Sequence, residues 1–173
     1  MARILFIDDD LIDFDPDSED GSVGYEMGLG LFANALEEAG HEVVRATRAG
    51  EALLHIEKLA KFDLMIVDVM MPPEPCTSPF ASLFSEESTS NGMGTGFALA
   101  EELKNVSPQT PIVFYSNVVV PTGSKEGVNS ATTNNLTKRG IVFRTIPKID
   151  HTPNEFTALI NQLLREFENK EVK

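Results

Sequence analysis

Short apolar runs alternate along the chain with segments in which apolar residues recur every three or four positions. The clearest run is LMIV at 64–67, which has charged residues before it and prolines after it. Such a continuous run is typical of a strand buried on both faces of a parallel sheet. Because these runs alternate with helical patterns, the chain is predicted to be α/β, with right-handed crossovers between parallel strands. The predicted strands are residues 3–7, 41–47, 64–67, 111–117 and 140–147. The predicted helices are about 25–39, 49–60 and 95–106, and a last helix that opens at 152–155 with a buried stripe from Phe156 to Phe167. The last helix opens with a capping box formed by Thr152 and Glu155.

Three stretches interrupt this alternation and are predicted to be inserted or extended loops. Residues 13–24 are acidic, and a calcium loop is disfavoured there because the sixth position is Ser18 rather than glycine. Residues 118–139 are rich in Asn, Thr, Ser and Gly, whose helix propensity is low. A fourth helix is therefore expected to be short, shifted or replaced by loop, with about 118–130 as loop.

Residues 73–92 are the third interruption and combine prolines with bulky apolar side chains. Ser78 and Pro79 are typical of an N-cap and a first helical position, so a short helix is predicted there. The side chains of Phe80, Leu83 and Phe84 would lie on one face of this helix. The favoured interpretation is that these side chains pack onto the domain as a plug. The alternative is an exposed docking surface for a partner.

Length and composition narrow the class of protein. At 173 residues, of which 42% are apolar, the chain suits a single domain spanning 1–173. The net charge of −13 argues against a nucleic-acid or anionic-membrane surface, since both bind basic patches. No stretch approaches the roughly 18 apolar residues of a transmembrane helix. The single Cys76 fits a reducing compartment, so a soluble, cytoplasmic protein is expected.

Acidic residues directly follow the first and third predicted strands. Asp68 ends the run 64–67, where an unpaired buried charge would cost several kcal/mol, and ligands of open α/β sheets bind at this edge. Asp8, Asp9 and Asp10 follow the first strand, and two unit charges about 4 Å apart repel by about 4 kcal/mol at an effective dielectric constant of about 20. A divalent cation would offset that repulsion, and oxygen ligands with room for water suit Mg²⁺. The alternative is a solvated acidic loop.

The segment DLMIVDVMMP, preceded by AGHEVVRATRAGEALLHIEKLAKF, resembles the receiver domain of two-component response regulators. The resemblance covers residues 1–12, 29–72, 93–116 and 140–168. It implies a flavodoxin-like (βα)5 fold, a doubly wound parallel sheet with strand order 2-1-3-4-5. In that order the carboxyl ends of strands one, three, four and five converge at one edge, and the inserted loops after strands one, three and four would surround it.

The resemblance implies a phosphoacceptor and a metal site at this edge. Asp68 takes the phosphoacceptor position and would be the nucleophile that forms an acyl phosphate. Asp8 and Asp9 take the positions of an acidic pair. Together with Asp68 and the backbone carbonyl of Met70, this pair would hold Mg²⁺.

Two further residues are expected to contact the phosphoryl group. Ser116, at the end of the fourth strand, would donate a hydrogen bond to one phosphoryl oxygen, and Lys148 would pair with another. The family usually has lysine followed by proline after the fifth strand, whereas the order here is Pro147-Lys148. Since an anionic group requires a cation and the lysine side chain is long, Lys148 is the favoured residue.

The reversed order leaves the alignment of the fifth strand open. An alignment on Pro147 would put Ile146 at the lysine position and Phe143 at the position of the family's switch aromatic. An alignment on Lys148 puts Thr145 at that aromatic position instead. Both candidates for the switch residue have the same strand parity, so the sequence alone does not choose between them.

The resemblance implies an atypical, stand-alone receiver whose Mg²⁺-dependent phosphorylation switches the binding of another protein. Its expected phosphodonor is a histidine kinase or a phosphotransfer protein, and no separate enzymatic turnover is expected beyond self-dephosphorylation. No nucleic-acid or membrane partner is expected. The downstream target, a homodimer and the role of the segment 73–92 are left open.

Two other functions compete with this interpretation. The first is a pseudo-receiver that signals by contacts alone, without phosphorylation. The second is a haloacid-dehalogenase-like phosphatase that would use Asp8 and Asp10, the segment IVFYSN and Lys148. The phosphatase is disfavoured because Leu11 and Ile12 replace the usual Gly-Thr and because DLMIVDVMMP would have no role.

Overall fold

The centre of the fold is a parallel sheet made of the apolar runs. The computed structural model describes residues 1–11, 27–58, 61–117, 128–148 and 151–171. Its strands are β1 (Arg3–Ile7), β2 (Glu42–Ala46), β3 (Leu64–Val67), β4 (Ile112–Tyr115) and β5 (Arg144–Ile146). They form one sheet in the order β2-β1-β3-β4-β5, and every pair is parallel. The predicted doubly wound α/β fold with strand order 2-1-3-4-5 is therefore confirmed.

Helices cover both faces of this sheet, which explains why all residues of β3 and β4 are buried. The helices are α1 (Met27–Glu38), α2 (Ala49–Lys58), α3 (Thr95–Val106), α4 (Val128–Lys138) and α5 (Pro153–Glu171). Successive residues of a strand point to opposite faces. Phe6 accordingly joins the core beneath α1 and α5 with Leu36 and Phe156, whereas Leu5 joins the core beneath α2, α3 and α4 with Leu53. Among the described helices, none has the length and apolar character needed to cross a membrane.

The fifth strand is shorter than predicted. The sequence pattern predicts it over 140–147, but β5 has three residues. The amides of Ile141 and Val142 donate to the carbonyl of Leu136 at the end of α4, 2.9 and 3.4 Å away, so they are used to close the helix. Both side chains are nevertheless buried, which explains why an apolar pattern alone overstates the strand.

The fourth helix is present despite its poor intrinsic propensity. It starts at Val128, inside the stretch for which a loop was expected, and buries Leu136 to 3% exposure against the sheet. Tertiary burial therefore outweighs weak local preference. The remainder of that expected loop, 118–127, lies outside the described residues, as does the acidic stretch 13–24.

The segment 73–92 packs down on the domain but does not contain the predicted helix. Ser78 Oγ accepts a hydrogen bond from the Phe80 amide, as expected of an N-cap, but the chain continues as a series of turns. The prediction of a helix is wrong because the Phe84 carbonyl accepts the amide of Glu74 at 2.8 Å, which folds the segment back on itself. Phe84 is fully buried and Phe80 packs against the core, whereas Leu83 is 43% exposed. The plug interpretation therefore holds for the two aromatic side chains.

Candidate functional site

Three carboxylates meet at the carboxyl ends of β1 and β3. The Asp8 amide donates to the Ala46 carbonyl at 3.0 Å and the Asp68 amide to the Ile7 carbonyl at 2.9 Å, so the parallel ladder continues one residue beyond each strand. Asp8 is fully buried and Asp68 is 5% exposed. With the half-buried Asp9, they present ligand oxygens that all lie within 4.8 Å of one another. The predicted acidic cluster is thus brought together in space.

Lys148 joins this cluster from the end of β5. Its Nζ lies 2.8 Å from Asp8 Oδ2 and 2.7 Å from Asp68 Oδ2, and its side chain is 13% exposed. Ile146, the other candidate for the lysine position, is 2% exposed and belongs to the hydrophobic core. Of the two alignments that the sequence left open, the one on Lys148 therefore places a cation in the site.

The remaining carboxylate oxygens of the two buried aspartates accept backbone hydrogen bonds. Asp8 Oδ1 accepts the amide of Asp10 at 3.1 Å, and Asp68 Oδ1 accepts the amide of Met70 at 3.3 Å. Each carboxylate is therefore oriented by a turn of its own loop on one side and by Lys148 on the other. Asp68 and Asp8 thus have the same kinds of partner, a backbone amide two residues later and the ammonium group of Lys148.

Burial and mutual repulsion disfavour the charged carboxylates. Burial, followed by the charge of Asp68, raises the pKa of Asp8 to about 7, although Lys148 opposes this. Burial also raises the pKa of Asp9. For Lys148, burial lowers the pKa, but the charges of Asp8 and Asp68 outweigh it and the net pKa is raised.

The donor set fits a hard divalent cation. Three carboxylates face one ammonium group, so negative charge remains in excess when all of them are ionised. Carboxylate oxygens around a partly open position are the ligands that Mg²⁺ prefers, because this ion keeps several of its waters. Asp8, Asp9 and Asp68 are the groups that could hold it, and the backbone carbonyl of Met70 as a further ligand stays a prediction.

The other predicted site residues lie on the β4–β5 side. Ser116 follows β4, is 1% exposed, and its amide donates to the Ile146 carbonyl at 3.1 Å. Of the two candidates for the switch residue, Thr145 lies within β5 opposite Phe114. Phe143 precedes the strand and packs edge-on against Phe167 of α5, with ring centroids 5.8 Å apart.

Thr95 and Gly96, at the start of α3, also contact the site and were not predicted as site residues from the sequence. The Gly96 amide donates to the Val69 carbonyl at 3.0 Å, and Thr95 Oγ1 donates to the Met71 carbonyl at 2.8 Å. The sequence signal is the run Gly-Thr-Gly at 94–96 directly before an amphipathic helix. Because 73–92 separates this run from Asp68, the two are not recognisable as neighbours from spacing alone.

Comparisons with solved structures identify proteins of similar fold. A CheY-like response regulator receiver domain protein from Methanospirillum hungatei JF-1 superposes with a TM-score of 0.62 at 19% identity, covering 98% of each chain. A response regulator receiver domain protein from Clostridium thermocellum gives 0.60 at 18% identity over 100% of each chain. The receiver domain of NtrX from Brucella abortus gives 0.57 at 21% identity, covering 94% of this chain and 98% of that one.

These neighbours are similar in fold rather than in close sequence. No protein-family model matches the chain, and no curated protein matches it. A longer NtrX chain also superposes, and this chain spans 28% of its length. The chain has the receiver fold, with the acidic cluster and Lys148 at the edge where the sequence pattern predicted them.

Proposed function

We propose that this chain, which has the receiver fold, is a phospho-accepting signalling switch. Asp68 would receive a phosphoryl group from a histidine kinase or a phosphotransfer protein in the cytoplasm, in the presence of Mg²⁺. The observation that carries the proposal is the position of Asp68 at the end of β3, beside two further carboxylates and 2.7 Å from the ammonium group of Lys148. A carboxylate, a metal-binding cluster and a cation are the groups that phosphoryl transfer needs.

Each residue has a defined task in the transfer. A carboxylate oxygen of Asp68 bonds to phosphorus while the bond between phosphorus and the donor nitrogen breaks and leaves its electron pair on the donor. The ammonium group of Lys148, now 2.7 Å from Asp68, pairs with a phosphoryl oxygen. The hydroxyl of Ser116 donates a hydrogen bond to another. Asp8, Asp9 and Asp68 would hold Mg²⁺, which would supply positive charge to neutralise the phosphoryl group.

The output follows from the added charge. A phosphoryl group brings about −1.5 to −2 charges at neutral pH. The ammonium group of Lys148 pairs with both Asp8 and Asp68. A phosphoryl group on Asp68 would compete for that ammonium group and change these ion pairs. Because Lys148 follows β5 and Ser116 follows β4, the change is passed to the surface formed by α4, β5 and α5. We propose that a downstream protein binds there.

The phosphatase is the weaker alternative. It would require Asp8 and Asp10 to act together, but the Asp10 side chain is exposed whereas Asp8 is fully buried. Lys148 also donates a hydrogen bond to Asp68 of the DLMIVDVMMP segment. Asp68 therefore lies within the site, although the phosphatase mechanism has no role for it.

Intact-mass measurement after incubation with Mg²⁺ and acetyl phosphate tests the proposal. One phosphoryl adduct is expected, and it should disappear in Asp68→Asn and in wild-type protein treated with EDTA. Asp63→Asn is the matched control, because Asp63 is an exposed carboxylate at the opposite end of the same strand. This variant should keep the adduct. An adduct that persists in Asp68→Asn would refute the assignment, and a wild-type protein that takes no adduct from acetyl phosphate or from a histidine kinase would favour the pseudo-receiver.

A further inference from the structure

The first turn of α3 lies directly against the backbone that carries the proposed nucleophile. A Cβ atom built on Gly96 would lie 2.0 Å from the Asp68 carbonyl oxygen and 2.7 Å from the Val69 Cα. Real Cβ atoms essentially never approach other heavy atoms closer than 3.0 Å, and here the neighbours are backbone atoms that have no side-chain freedom to move away. Glycine is therefore required for α3 to approach the site this closely.

The same region of the chain holds the carbonyls that follow Asp68. Besides the hydrogen bond from Gly96 to the Val69 carbonyl, Thr95 Oγ1 donates to the Met71 carbonyl, and Thr95 is fully buried. Gly92, at a φ of +89°, also packs on Met71, where a Cβ would come within 2.6 Å of the carbonyl oxygen. The peptide units on either side of the Met70 carbonyl are thus both held.

A second attachment secures the far end of this segment. The buried carboxylate of Glu74 accepts the amide of Gly50 in the first turn of α2 at 2.8 Å, where a helix end favours negative charge. Phe80 packs on the same glycine, since a Cβ there would lie 2.7 Å from the ring. The backbone from Asp68 to Glu74 is consequently fixed by α3 at one end and by α2 at the other.

We infer that Thr95 and Gly96 are positioning residues that fix the backbone from Asp68 to Met71, and with it the nucleophile and the Met70 carbonyl. This inference rests on the proposed function, because it assigns the two residues to the same phosphoacceptor site. The inserted segment 73–92 separates Asp68 from α3 along the chain. A connection of this length does not by itself hold α3 against the backbone that follows Asp68. The contacts of Thr95 and Gly96 hold it there.

The test replaces the Thr95 hydroxyl without changing the size of the side chain. In Thr95→Val, Mg²⁺ affinity measured by calorimetry should fall about tenfold, as is common when a group that orients a metal ligand is removed. The rate of phosphorylation by acetyl phosphate should fall with it. Thr95→Ser keeps the hydroxyl and should restore both. Gly96→Ala should give a larger loss of Mg²⁺ affinity than Thr95→Val, because its methyl group would displace the backbone itself.

A matched control separates positioning from general stability. Thr110 is also buried and donates its hydroxyl to a carbonyl, that of Phe62 at 3.0 Å, but it lies before β4, at the amino ends of the strands. Its hydroxyl also pairs with that of Ser107 at 2.8 Å. Because two contacts are lost, Thr110→Val should lower the unfolding midpoint in EDTA at least as much as Thr95→Val, yet leave Mg²⁺ affinity unchanged. A metal-free measurement complements it: amide hydrogen exchange at Gly96, which donates to Val69, should accelerate in Thr95→Val and not in Thr110→Val.

The outcomes distinguish this inference from the proposed function. If wild-type protein is phosphorylated and Thr95→Val matches it in Mg²⁺ affinity and rate, the positioning role is refuted and the proposed function stands. If wild-type protein binds Mg²⁺ but takes no phosphoryl group, while Thr95→Val still weakens Mg²⁺ binding, the proposed function fails and the positioning role is supported. Equal losses of Mg²⁺ affinity in Thr95→Val and Thr110→Val would refute the positioning role.

Discussion

The two sides of the site differ in how firmly their backbone is held. Asp68 follows β3, whose four residues are all buried and which pairs with a strand on either side. The segment after it is held by the start of α3. Lys148 follows β5, which has three residues, pairs with β4 and lies at the edge of the described sheet. One of those three residues is buried.

Under the proposed function, the two sides of the site have different requirements. A nucleophile benefits from a fixed position, since in-line attack depends on orientation. A switch needs an element whose arrangement can change at small cost. Under the proposed function, the firmly held side would carry the carboxylate that reacts, Asp68, and the loosely held side would carry the ammonium group that responds to the new charge, Lys148.

The largest expected effect is on the fixed side, where Phe84 inserts into the core. Phe84→Ala should cost about 3–5 kcal/mol of unfolding free energy, because it removes a fully buried ring and leaves a cavity. Leu83→Ala is the matched control, since its side chain is 43% exposed, and it should cost about 0.5 kcal/mol or less. Urea denaturation measures both. Equal costs would mean that Phe84 does not anchor the inserted segment.

Lys148→Met should be the next most costly change in metal-free protein. It leaves the buried carboxylates of Asp8 and Asp68 without their cation, and breaking a buried pair in this way costs about 3 kcal/mol. Mg²⁺ should recover part of that loss, because it neutralises the same carboxylates. Lys58→Met, at an exposed position at the end of α2, should unfold like wild type. If Lys148→Met is as stable as this control in EDTA, the ion pairs do not hold the two sides together.

The raised pKa of Asp8 predicts a pH dependence of metal-free stability. Its pKa is about 7 in the folded protein against an ordinary value of 3.8, so the folded state binds the proton more tightly than the unfolded state does. The stabilisation of the folded state by this proton is therefore fully present below about pH 4 and is lost as pH rises through about 7, with an upper limit of about 4 kcal/mol. Asp8→Asn should remove this loss, so that its stability relative to wild type grows over the same range.

The control for this pH series is Asp10→Asn, two residues away at an exposed position. Its unfolding free energy in EDTA should follow that of wild type from pH 4 to pH 8. If the difference between Asp8→Asn and wild type is independent of pH, the buried carboxylate does not carry a raised pKa.

Local chemistry made several elements and the acidic cluster predictable from sequence. The run 64–67 matches β3 residue for residue, and its apolar character has one cause, burial on both faces. The capping box likewise placed the start of α5, where the Thr152 amide donates to Glu155 Oε2 at 2.8 Å. The acids at strand ends predicted the cluster, because a parallel sheet brings those ends to one edge.

Long-range contacts explain what the sequence could not provide. Whether Lys148 or Ile146 faces the site depends on how the chain leaves β5, and both alignments have the same parity. The turns in 73–92 replace the predicted helix because the Phe84 carbonyl accepts the amide of Glu74, a contact that no local propensity encodes. The contact of Gly96 with the Asp68 backbone is likewise long-range, so it could not be predicted from local sequence.

The smallest expected effect concerns the attachment of α4 to α3. The ion pair between Arg139 and Glu101 is exposed at both ends, and such pairs contribute about 0.5 kcal/mol or less. Arg139→Gln should therefore leave urea stability nearly unchanged, whereas Leu136→Ala, at a buried position of α4, should be clearly destabilised. If Arg139→Gln lowered the unfolding free energy by several kcal/mol, α4 would be firmly held, which would contradict the difference between the two sides of the site.

Hydrogen exchange with and without beryllofluoride, a phosphoryl mimic, tests most directly the claim that charge on Asp68 acts on the β4–β5 side. With Mg²⁺ present, protection should change in residue 117 and in 128–148 and stay nearly constant in 64–71 and 95–106. Asp68→Asn should show no response. Identical exchange patterns in wild-type protein with and without the mimic, or changes confined to the β3 side, would contradict the switch and favour a pseudo-receiver.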